Sequence, residues 1–414
     1  MNRKTPWGPL PVEVAGQGSA SHRSGVRGSV DNSGVLLQKV DPYRRSELDR
    51  FIAVPWYIHR KYAPNSHWVP PIRSQQRKFL RPDRNPFFEH ATAQFWIATV
   101  GGHDVGRIAA VRDELWLAKQ DANTGSFGLF ESTNDPAVAK RLLDAAAGWL
   151  HSQGLNRMIG PLDLSTNHTT GLLVDAFERD PFVLMPYNPQ YYEQLLVGAG
   201  LDRERDLWQW AIEPAETPPP AHIVAAAHAV SETYGLTLKR MPPKAWAKEL
   251  GKVSGLYNDI WSENWGFIPL TAAETANLGK ELSTVTESEF SLMAEQDGEP
   301  IGFCLSITNI NPVLRTMNGR MLPLGLFRYL WSVKVARNLR GGRLLLLGVR
   351  KEHRGQGVDA LLVLETSKAA SRRGCGYCEL GWVSEDNHAM NTIIGVGGGT
   401  RVKTYRVFAG QTQR

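Results

Sequence analysis

The feature that most constrains the fold of this 414-residue chain is an internal repeat. Four pairs of similar segments recur in the two halves: Trp68-Val69-Pro70 with Trp265 to Pro269, Gly106 with Gly302, Gly154 with Gly374, and Asn167-His168 with Asn387-His388. The first two pairs share one spacing to within a residue. The last two share a longer spacing, as expected if the second half carries an insertion near residues 308–338. Two constant spacings predict two copies of one α/β unit.

Hydrophobic periodicity predicts the same order of elements in each copy: a strand, helices, a hairpin, a strand, a helix, a strand, a helix and a last strand. Gly101-Gly102 and Asp297-Gly298 are turn sequences between the two strands of each hairpin. We therefore expect an α/β fold of the α+β mixed-sheet kind. The expected division is a disordered tail at 1–35, a first domain at 36–213, a proline-rich linker at 214–220 and a second domain at 221–414.

A glycine-containing basic turn stands between a strand and a helix in the second copy. Leu344 to Val349 is a continuous apolar run, and apolar residues then recur at helical spacing from Val358 to Ala370. The turn Arg354-Gly355-Gln356-Gly357 would present backbone N–H groups and a cation at a helix N-terminus, which favours an anion such as a pyrophosphate. An ordinary strand–turn–helix connection is the alternative.

Two observations limit this anion site. Asp359 would be unfavourable beside a pyrophosphate unless its side chain turns away to cap the helix. The corresponding segment of the first copy, Asn134 to Ala139, has neither glycine nor a cation. The sequence therefore predicts one anion site per chain, in the second half.

Composition excludes several classes of protein. The net charge of +6 suits an anionic small molecule as well as RNA, but the basic residues form no long run of the kind that binds DNA. No apolar run approaches the roughly 18 residues of a membrane span, and no signal sequence is evident. Three cysteines are typical of a reducing compartment, so we expect a cytoplasmic protein. Cys375 and Cys378 lack a second pair to complete a metal site, so no metal is expected.

The basic turn resembles the coenzyme-A-binding motif of the GNAT superfamily of acyl-CoA-dependent N-acyltransferases, Arg/Gln-x-x-Gly-x-Gly/Ala. Arg354 and Gly357 match it, whereas Asp359 departs from it. From about Leu36 onward the chain also resembles a bacterial family of tandem-GNAT proteins, mostly of unassigned substrate. This closer resemblance is carried by five segments: Asn85–His90, Ser165–Asn167, Met185–Pro189, Asn264–Phe267 and Glu385–Asn391. It implies two tandem GNAT-like domains, the first lacking the phosphate turn.

The resemblance implies acetyl-CoA or another acyl-CoA as co-substrate and assigns residues to hold it. The strand residues Leu347, Gly348 and Val349 would bind the thioester and pantetheine. The turn residues Arg354, Gly355, Gln356, Gly357 and Val358 would bind the pyrophosphate. Asn387 would contact the pantetheine, and a simple helix cap is compatible with that role.

Acyl transfer to an amine requires removal of a proton from the amine and protonation of the thiolate. Alternation on its strand could turn Glu379 toward the cleft, so we expect it to be the base, ahead of Glu263 and Asp386. A solvated or salt-bridged Glu379 is the alternative. The superfamily often places a tyrosine acid where Ile394 stands, so Tyr405 or solvent would substitute.

The acceptor is expected to contact Asn167, Tyr187 and Asn188 of the first copy and Trp265 of the second. The proline-rich region 160–192 around the first three either binds a ligand or braces a domain junction. The insertion Met317–Arg340 combines aromatic, aliphatic and basic residues. It would be a helix packed on the other half, a lid over an acyl chain, or a contact with a membrane surface.

These observations predict an acyltransferase that moves an acyl group, with acetyl as the first expectation, to an amine of a small molecule. A non-catalytic acyl-CoA-binding scaffold and an aminoacyl-tRNA-dependent transferase are the alternatives. Acceptor, acyl chain length and oligomeric state are left open by the sequence.

Overall fold

The computed structural model describes residues 34–214, 216–282, 286–321, 324–332 and 341–413. The expected tail therefore lies almost wholly outside the described residues, as does part of the 317–340 insertion.

The first half contains seven strands and five helices among its described residues. They are β1 Leu36–Val40, α1 Arg45–Tyr62, α2 Arg73–Leu80, β2 Ala91–Val100, β3 His103–Asp113, α3 Glu114–Lys119, β4 Thr124–Ser132, α4 Pro136–Ser152, β5 Arg157–Gly160, β6 Leu172–Leu173, α5 Tyr192–Gly198 and β7 Asp202–Ile212.

The second half repeats this order, with additional helices. Its elements are α6 Ala221–Tyr234, β8 Thr237–Arg240, α7 Pro243–Trp261, α8 Ala272–Leu282, β9 Thr286–Gln296, β10 Glu299–Thr308, α9 Asn311–Met317, α10 Leu324–Leu330, β11 Gly341–Val349, α11 Val358–Arg372, β12 Tyr377–Ser384, α12 His388–Val396 and β13 Thr400–Gln411. The predicted hairpins are β2–β3 and β9–β10, and the predicted insertion contains α9 and α10.

Local sequence accounts for where these elements begin and turn. Asp135 caps α4 by accepting a hydrogen bond from the Ala137 N–H at 2.8 Å, and Pro136 occupies the first helical position. In the second hairpin, Asp297 and Gly298 adopt φ of 53° and 83°, the left-handed region that a two-residue hairpin turn requires.

All described strands join one mixed sheet, in the order β1-β2-β3-β4-β5-β13-β7-β12-β11-β10-β9-β8, with β6 paired to β13 beside this path. The last strand of each half therefore lies in the sheet of the other half. β13 pairs with β5, β7 pairs with β12, and β7 and β13 pair antiparallel with each other. Neither half of this sheet is complete without the strand that the other half of the chain contributes.

Helices cover both faces of this sheet. In the first half Phe51 of α1 packs on one face of the sheet. Leu142 of α4 packs on the other face, in a large apolar cluster. In the second half Leu256 of α7 and Leu362 of α11 lie in two separate clusters. All four side chains are fully buried. The helices thus fix the position of the strands between which the site opens.

One part of the predicted repeat is wrong. Asn387 stands at the N-cap of α12, whereas Asn167 lies in a turn between β5 and β6 with no helix following it. The helix that corresponds to α12 in chain order is α5, because the first half has a long connection, residues 161–191, between β5 and α5. The matching Asn-His pairs are therefore not structural equivalents.

Candidate active site

The site begins where two parallel strands separate. β11 pairs with β12 only from Gly341 to Leu344, while its pairing with β10 continues to Val349. Beyond Leu344 a gap opens between β11 and β12. The Arg350 N–H donates to the Ile301 carbonyl at 2.8 Å. Because N–H directions alternate along an antiparallel strand, the N–H groups of Val349 and Leu347 point into the gap.

Gly348 has a packing explanation. A Cβ at this position would lie 2.5 Å from Ile260 Cγ2 and 2.7 Å from the Trp261 ring, so α7 approaches the strand too closely for any side chain. Gly348 therefore allows the close helix–strand contact that holds its neighbours Leu347 and Val349 at the edge of the gap.

The turn between β11 and α11 has the geometry of an anion site. Gly355 and Gly357 adopt φ of 74° and 92°, and Gly357 precedes the first residue of α11 without a side-chain cap. A Cβ on Gly355 would meet no atom within 4 Å, whereas one on Gly357 would lie 3.0 Å from the Ala226 carbonyl oxygen of α6. The uncapped helix N-terminus and the open side at Gly355 fit a phosphate.

The polar side chains of this turn brace its backbone. Arg354 donates from Nε to the Val349 carbonyl at 3.2 Å and from Nη2 to the Ile260 carbonyl at 3.1 Å. Gln356 donates to the Glu352 carbonyl at 3.0 Å. Arg354 is nevertheless exposed at the edge of the cleft, so its charge still acts on a ligand.

Asp359 and Asn387 complete the edge of the gap. The Asp359 side chain does not cap α11, and among the described residues it accepts no hydrogen bond. Its negative charge therefore stays at the turn. Asn387 does cap its helix, accepting from the Met390 N–H at 3.1 Å. Both residues line the cleft, as does Ile394.

A cleft of about 1850 Å³ runs from this gap between the two halves. Its wall includes many large apolar side chains, among them Phe130, Leu172, Met185, Leu314, Met321 and Leu346. Sites for drug-sized ligands are usually about 300–1,000 Å³. The cleft therefore has room for more than one small molecule.

The structure contradicts the expected positions of Glu379 and Tyr405. Both are fully buried and neither lines the cleft. Glu379 accepts a hydrogen bond from Lys403 Nζ at 2.5 Å, so the salt-bridged alternative is the correct one. Burial raises the Glu379 pKa, against the opposing effect of Lys403. The expectation failed because β13, which carries both Tyr405 and Lys403, lies in the centre of the sheet and brings the Lys403 ammonium onto Glu379.

The two other proposed carboxylates do line the cleft. Glu263 lies at its exposed edge, 2.9 Å from Lys351 Nζ. Asp386 pairs with Arg205 and accepts from Ser384 Oγ at 2.6 Å. The Arg205 hydrogen bond is the main cause that lowers the Asp386 pKa to about 2. Both carboxylates are therefore ionised at neutral pH.

Asn167 joins the halves and also lines the cleft. It accepts a hydrogen bond from the Tyr257 hydroxyl at 3.1 Å and donates to the Ile268 carbonyl at 3.2 Å. Nearby, Gln120 donates to the Phe267 carbonyl at 2.9 Å and accepts from the Gly266 N–H at 3.1 Å. The first half thus holds the loop between α7 and α8 beside the cleft.

The other residues expected to contact the acceptor differ in whether their polar groups already make hydrogen bonds within the protein. Asn188 uses its amide on backbone groups of Leu173 and Pro189, and Tyr187 donates to the Phe177 carbonyl at 2.9 Å. Trp265 lies edge-on to Trp116, with ring centroids 6.5 Å apart. Asn188, Tyr187 and Trp265 all border the cleft, but the amide of Asn188 is occupied in holding its own loop.

Sequence reasoning missed a charged cluster between the halves. His90 Nδ1 lies 2.9 Å from Asp113, and its Nε2 lies 3.3 Å from Glu274 of the second half. Burial opposes the charge on His90, but its interactions with the carboxylates of Asp113 and Glu274 prevail and raise its pKa to about 9. Glu274 lines the cleft. The only sequence feature that pointed to this cluster is that His90 is the last residue of Asn85–His90, one of the segments that carry the family resemblance.

His168 lies next to this cluster and has the opposite character. Its Nδ1 is 3.0 Å from Ser165 Oγ, and burial lowers its pKa to about 4, so it is neutral at physiological pH. It also borders the cleft. The neutral His168 thus borders the cleft itself, whereas the charged His90 lies beside Glu274 of the cleft wall.

Two further properties concern only the described residues. No three His, Cys, Asp or Glu side chains among them are grouped so as to hold a metal ion. None of the helices in these ranges has the length and apolar character needed to cross a membrane.

Comparison with known proteins agrees with this architecture. A profile described as the Acetyltransferase (GNAT) family matches residues 252–392. The chain is 34% identical over 383 residues to the bacterial ceramide synthase of Caulobacter vibrioides, covering 91% of this chain and 98% of that protein. It is 30% identical over 371 residues to Protein YghO of Escherichia coli, covering 89% and 93% of the two chains.

Solved structures show the same fold. A tandem GNAT protein from the clavulanic acid biosynthesis pathway superposes with a TM-score of 0.55 at 13% identity, covering 91% of this chain and 99% of that one. A GCN5-related N-acetyltransferase from Sphaerobacter thermophilus gives a TM-score of 0.50 at 14% identity, covering 93% and 98%. Together with the relatives at 30% identity or more, these matches show that the chain belongs to the GNAT family as a tandem-domain N-acyltransferase.

Proposed function

We propose that the protein transfers a fatty acyl group from acyl-CoA to the primary amine of a long-chain amino alcohol, forming a ceramide-type amide. The observation that carries this proposal is the large, apolar-walled cleft that continues from the strand gap. The 34% identity to a bacterial ceramide synthase over nearly its whole length supports the same acceptor class. A long acyl chain uses this cleft better than the acetyl group that the sequence first suggested.

The described groups at the gap fit acyl-CoA. The pyrophosphate would lie against the uncapped N-terminus of α11, on the open side of Gly355, with the charge of Arg354 nearby. The N–H groups of Leu347 and Val349 would bind the pantetheine and thioester. Asn387 would border the pantetheine while it caps α12.

In the reaction, the amine nitrogen attacks the thioester carbonyl carbon, the C–N bond forms and the C–S bond breaks. An N–H group of Leu347 or Val349 would stabilise the negative charge that develops on the carbonyl oxygen. The ionised carboxylates Glu263 and Asp386 would orient the ammonium form of the acceptor, which loses one proton to water before the amine attacks. After the attack the nitrogen loses a second proton to water, and water protonates the departing thiolate, because Tyr405 does not reach the cleft.

The same proposal places the reaction on the cytoplasmic side of the cell. Cys304, Cys375 and Cys378 are all buried and form no disulfide, which is compatible with a reducing compartment. No nucleic acid is required as a partner, since the anion site is accounted for by a pyrophosphate.

The test is a competition between acyl donors and acceptors on the full chain. Hexadecanoyl-CoA and acetyl-CoA are each combined with sphinganine or with a short diamine, and amide products are quantified by mass spectrometry alongside thiol release. We expect kcat/KM for the long donor with sphinganine to exceed the other combinations by about a hundredfold or more. A preference for acetyl-CoA with the short diamine would overturn the chain-length and acceptor assignments.

A further inference from the structure

An apolar patch stands exposed on the insertion of the second half. Phe327 and Leu330 of α10 and the following Trp331 are 64%, 40% and 52% exposed. The Phe327 and Trp331 rings stack with centroids 6.1 Å apart. We call these three residues the α10 patch. Three large apolar side chains exposed within about one helical turn are unusual on a surface that only faces water.

The opposite side of the same segment forms part of the cleft. Tyr329, Met321 and Leu314 line the cleft and pack near the buried residues Val313 and Met317. The insertion is therefore apolar on both sides, with one side in the cleft wall and the other in solvent. The α10 patch therefore belongs to a segment whose other side lines the cleft.

The charged residues of the segment that carries the patch are of one sign. No Asp or Glu occurs between Pro300 and Lys351. Arg320 and Arg328 are exposed, and neither has a carboxylate partner among the described residues. Arg328 donates to the Thr316 carbonyl at 2.9 Å, which holds its guanidinium next to the helix. Aromatic and aliphatic side chains beside unpaired cations are the composition that favours an anionic membrane surface.

We propose that the α10 patch docks the protein on an anionic phospholipid bilayer, with Phe327, Leu330 and Trp331 entering the interface and Arg320 and Arg328 contacting lipid phosphates. A lipid surface is favoured over a protein partner because the acid-free segment matches anionic headgroups and is continuous with the cleft wall. Delivery of alkyl chains from the bilayer to the cleft rests on the proposed function, whereas the docking itself does not.

The experiment is flotation of the full chain, without substrate, with vesicles of phosphatidylcholine alone or containing about one third phosphatidylglycerol. We expect binding to the anionic vesicles at low salt, at least about tenfold weaker binding to the neutral ones, and a loss of binding as salt rises. Absence of binding to anionic vesicles would overturn the proposal, and so would equal binding to both kinds. Since no substrate is present, neither result depends on the acyl-transfer assay.

Two pairs of variants locate the contact. Phe327→Ser combined with Trp331→Ser should weaken binding to anionic vesicles about tenfold or more, whereas Val197→Ser, which removes a 54% exposed side chain on α5, should not. Arg328→Glu should weaken it similarly, against Lys119→Glu as the control for a charge reversal at an exposed position. Unchanged binding in both patch variants, with melting curves like those of the parent, would show that the patch is not the docking surface.

Discussion

Both halves of the molecule contain the same strand gap, and in the first half a protein side chain stands in it. Gly106 pairs with Ser132 at the end of β4 as Gly302 pairs with Val349 at the end of β11. In the first half the Ser132 N–H donates to the Tyr192 hydroxyl at 3.0 Å. The equivalent N–H of Val349 has no partner among the described residues and faces the cleft. A protein hydroxyl thus stands in the first half where a substrate would bind in the second.

The long connection of the first half occupies another part of its gap. The Leu129 N–H donates to Asp163 at 2.9 Å, and a Cβ on Gly128 would lie only 1.7 Å from the Leu162 carbonyl oxygen. The turn before α4 is also short, residues 133–135, and Asp135 occupies the helix N-terminus that a phosphate would need. The same strand framework can therefore form either an open cleft or a packed region, depending on which segment occupies the gap.

The largest expected effect comes from closing the open anion site. Gly355→Asp places a carboxylate on the open side of the turn, where like charge should weaken acyl-CoA binding by about 3 kcal/mol, roughly a hundredfold. Gly298→Asp is the matched control, because Gly298 also has positive φ and a Cβ added there would meet no atom within 4 Å. Calorimetric titration with acyl-CoA measures both. Equal affinities in the two variants would show that the turn is not the anion site.

The charged cluster between the halves predicts a pH dependence of stability. The His90 pKa is raised from 6.5 to about 9, so its stabilisation is complete below pH 6.5 and is lost as pH rises through 9. The free energy of unfolding should fall by up to about 3 kcal/mol across that interval. His90→Gln should remove this slope, whereas His103→Gln, at the exposed first residue of β3, should keep it. Urea unfolding at several pH values measures how the free energy of unfolding depends on pH. Equal slopes in the two variants would contradict the prediction.

The Tyr192 side chain in the gap of the first half should contribute to the stability of the fold and not to acyl-CoA affinity. Tyr192→Phe leaves the Ser132 N–H without its acceptor and Glu131 without a donor at 2.6 Å, so the free energy of unfolding should fall by about 2 kcal/mol. Acyl-CoA affinity should stay within about twofold, because the substrate gap lies in the other half. Tyr62→Phe, at a 37% exposed residue, is the control. A large loss of acyl-CoA affinity would mean that the first gap takes part in binding.

The smallest expected effect is a gain in affinity for acyl-CoA. Asp359→Asn removes a negative charge that lines the cleft at the anion site, so acyl-CoA should bind about fivefold more tightly, or roughly 1 kcal/mol. The same change should cost about 0.5 kcal/mol of stability, because an acid in the first turn favours α11. Glu352→Gln, in the same turn but outside the cleft, should leave affinity unchanged. Weaker binding by the Asp359 variant would indicate that its carboxylate contacts the ligand favourably.

Much of the framework was predictable from short-range patterns. The two hairpins, the α11 helix and the turn at Gly355 and Gly357 follow from periodicity and turn chemistry over a few residues. Side-chain roles that depend on distant segments were not predictable. Glu379 is buried because Lys403 arrives on a strand inserted from the chain terminus, and His90 is charged because Glu274 belongs to the other half.

The sequence alone specifies the duplicated unit, its order of elements and one glycine turn in the second half. Tertiary packing sets three further features: β7 and β13 are exchanged, residues 161–191 occupy part of the first gap, and the second gap opens into an apolar cleft. The physical reason is that backbone hydrogen bonds and periodicity act over a few residues. Burial and ion pairing, by contrast, depend on which segments, up to hundreds of residues apart, come to share one surface.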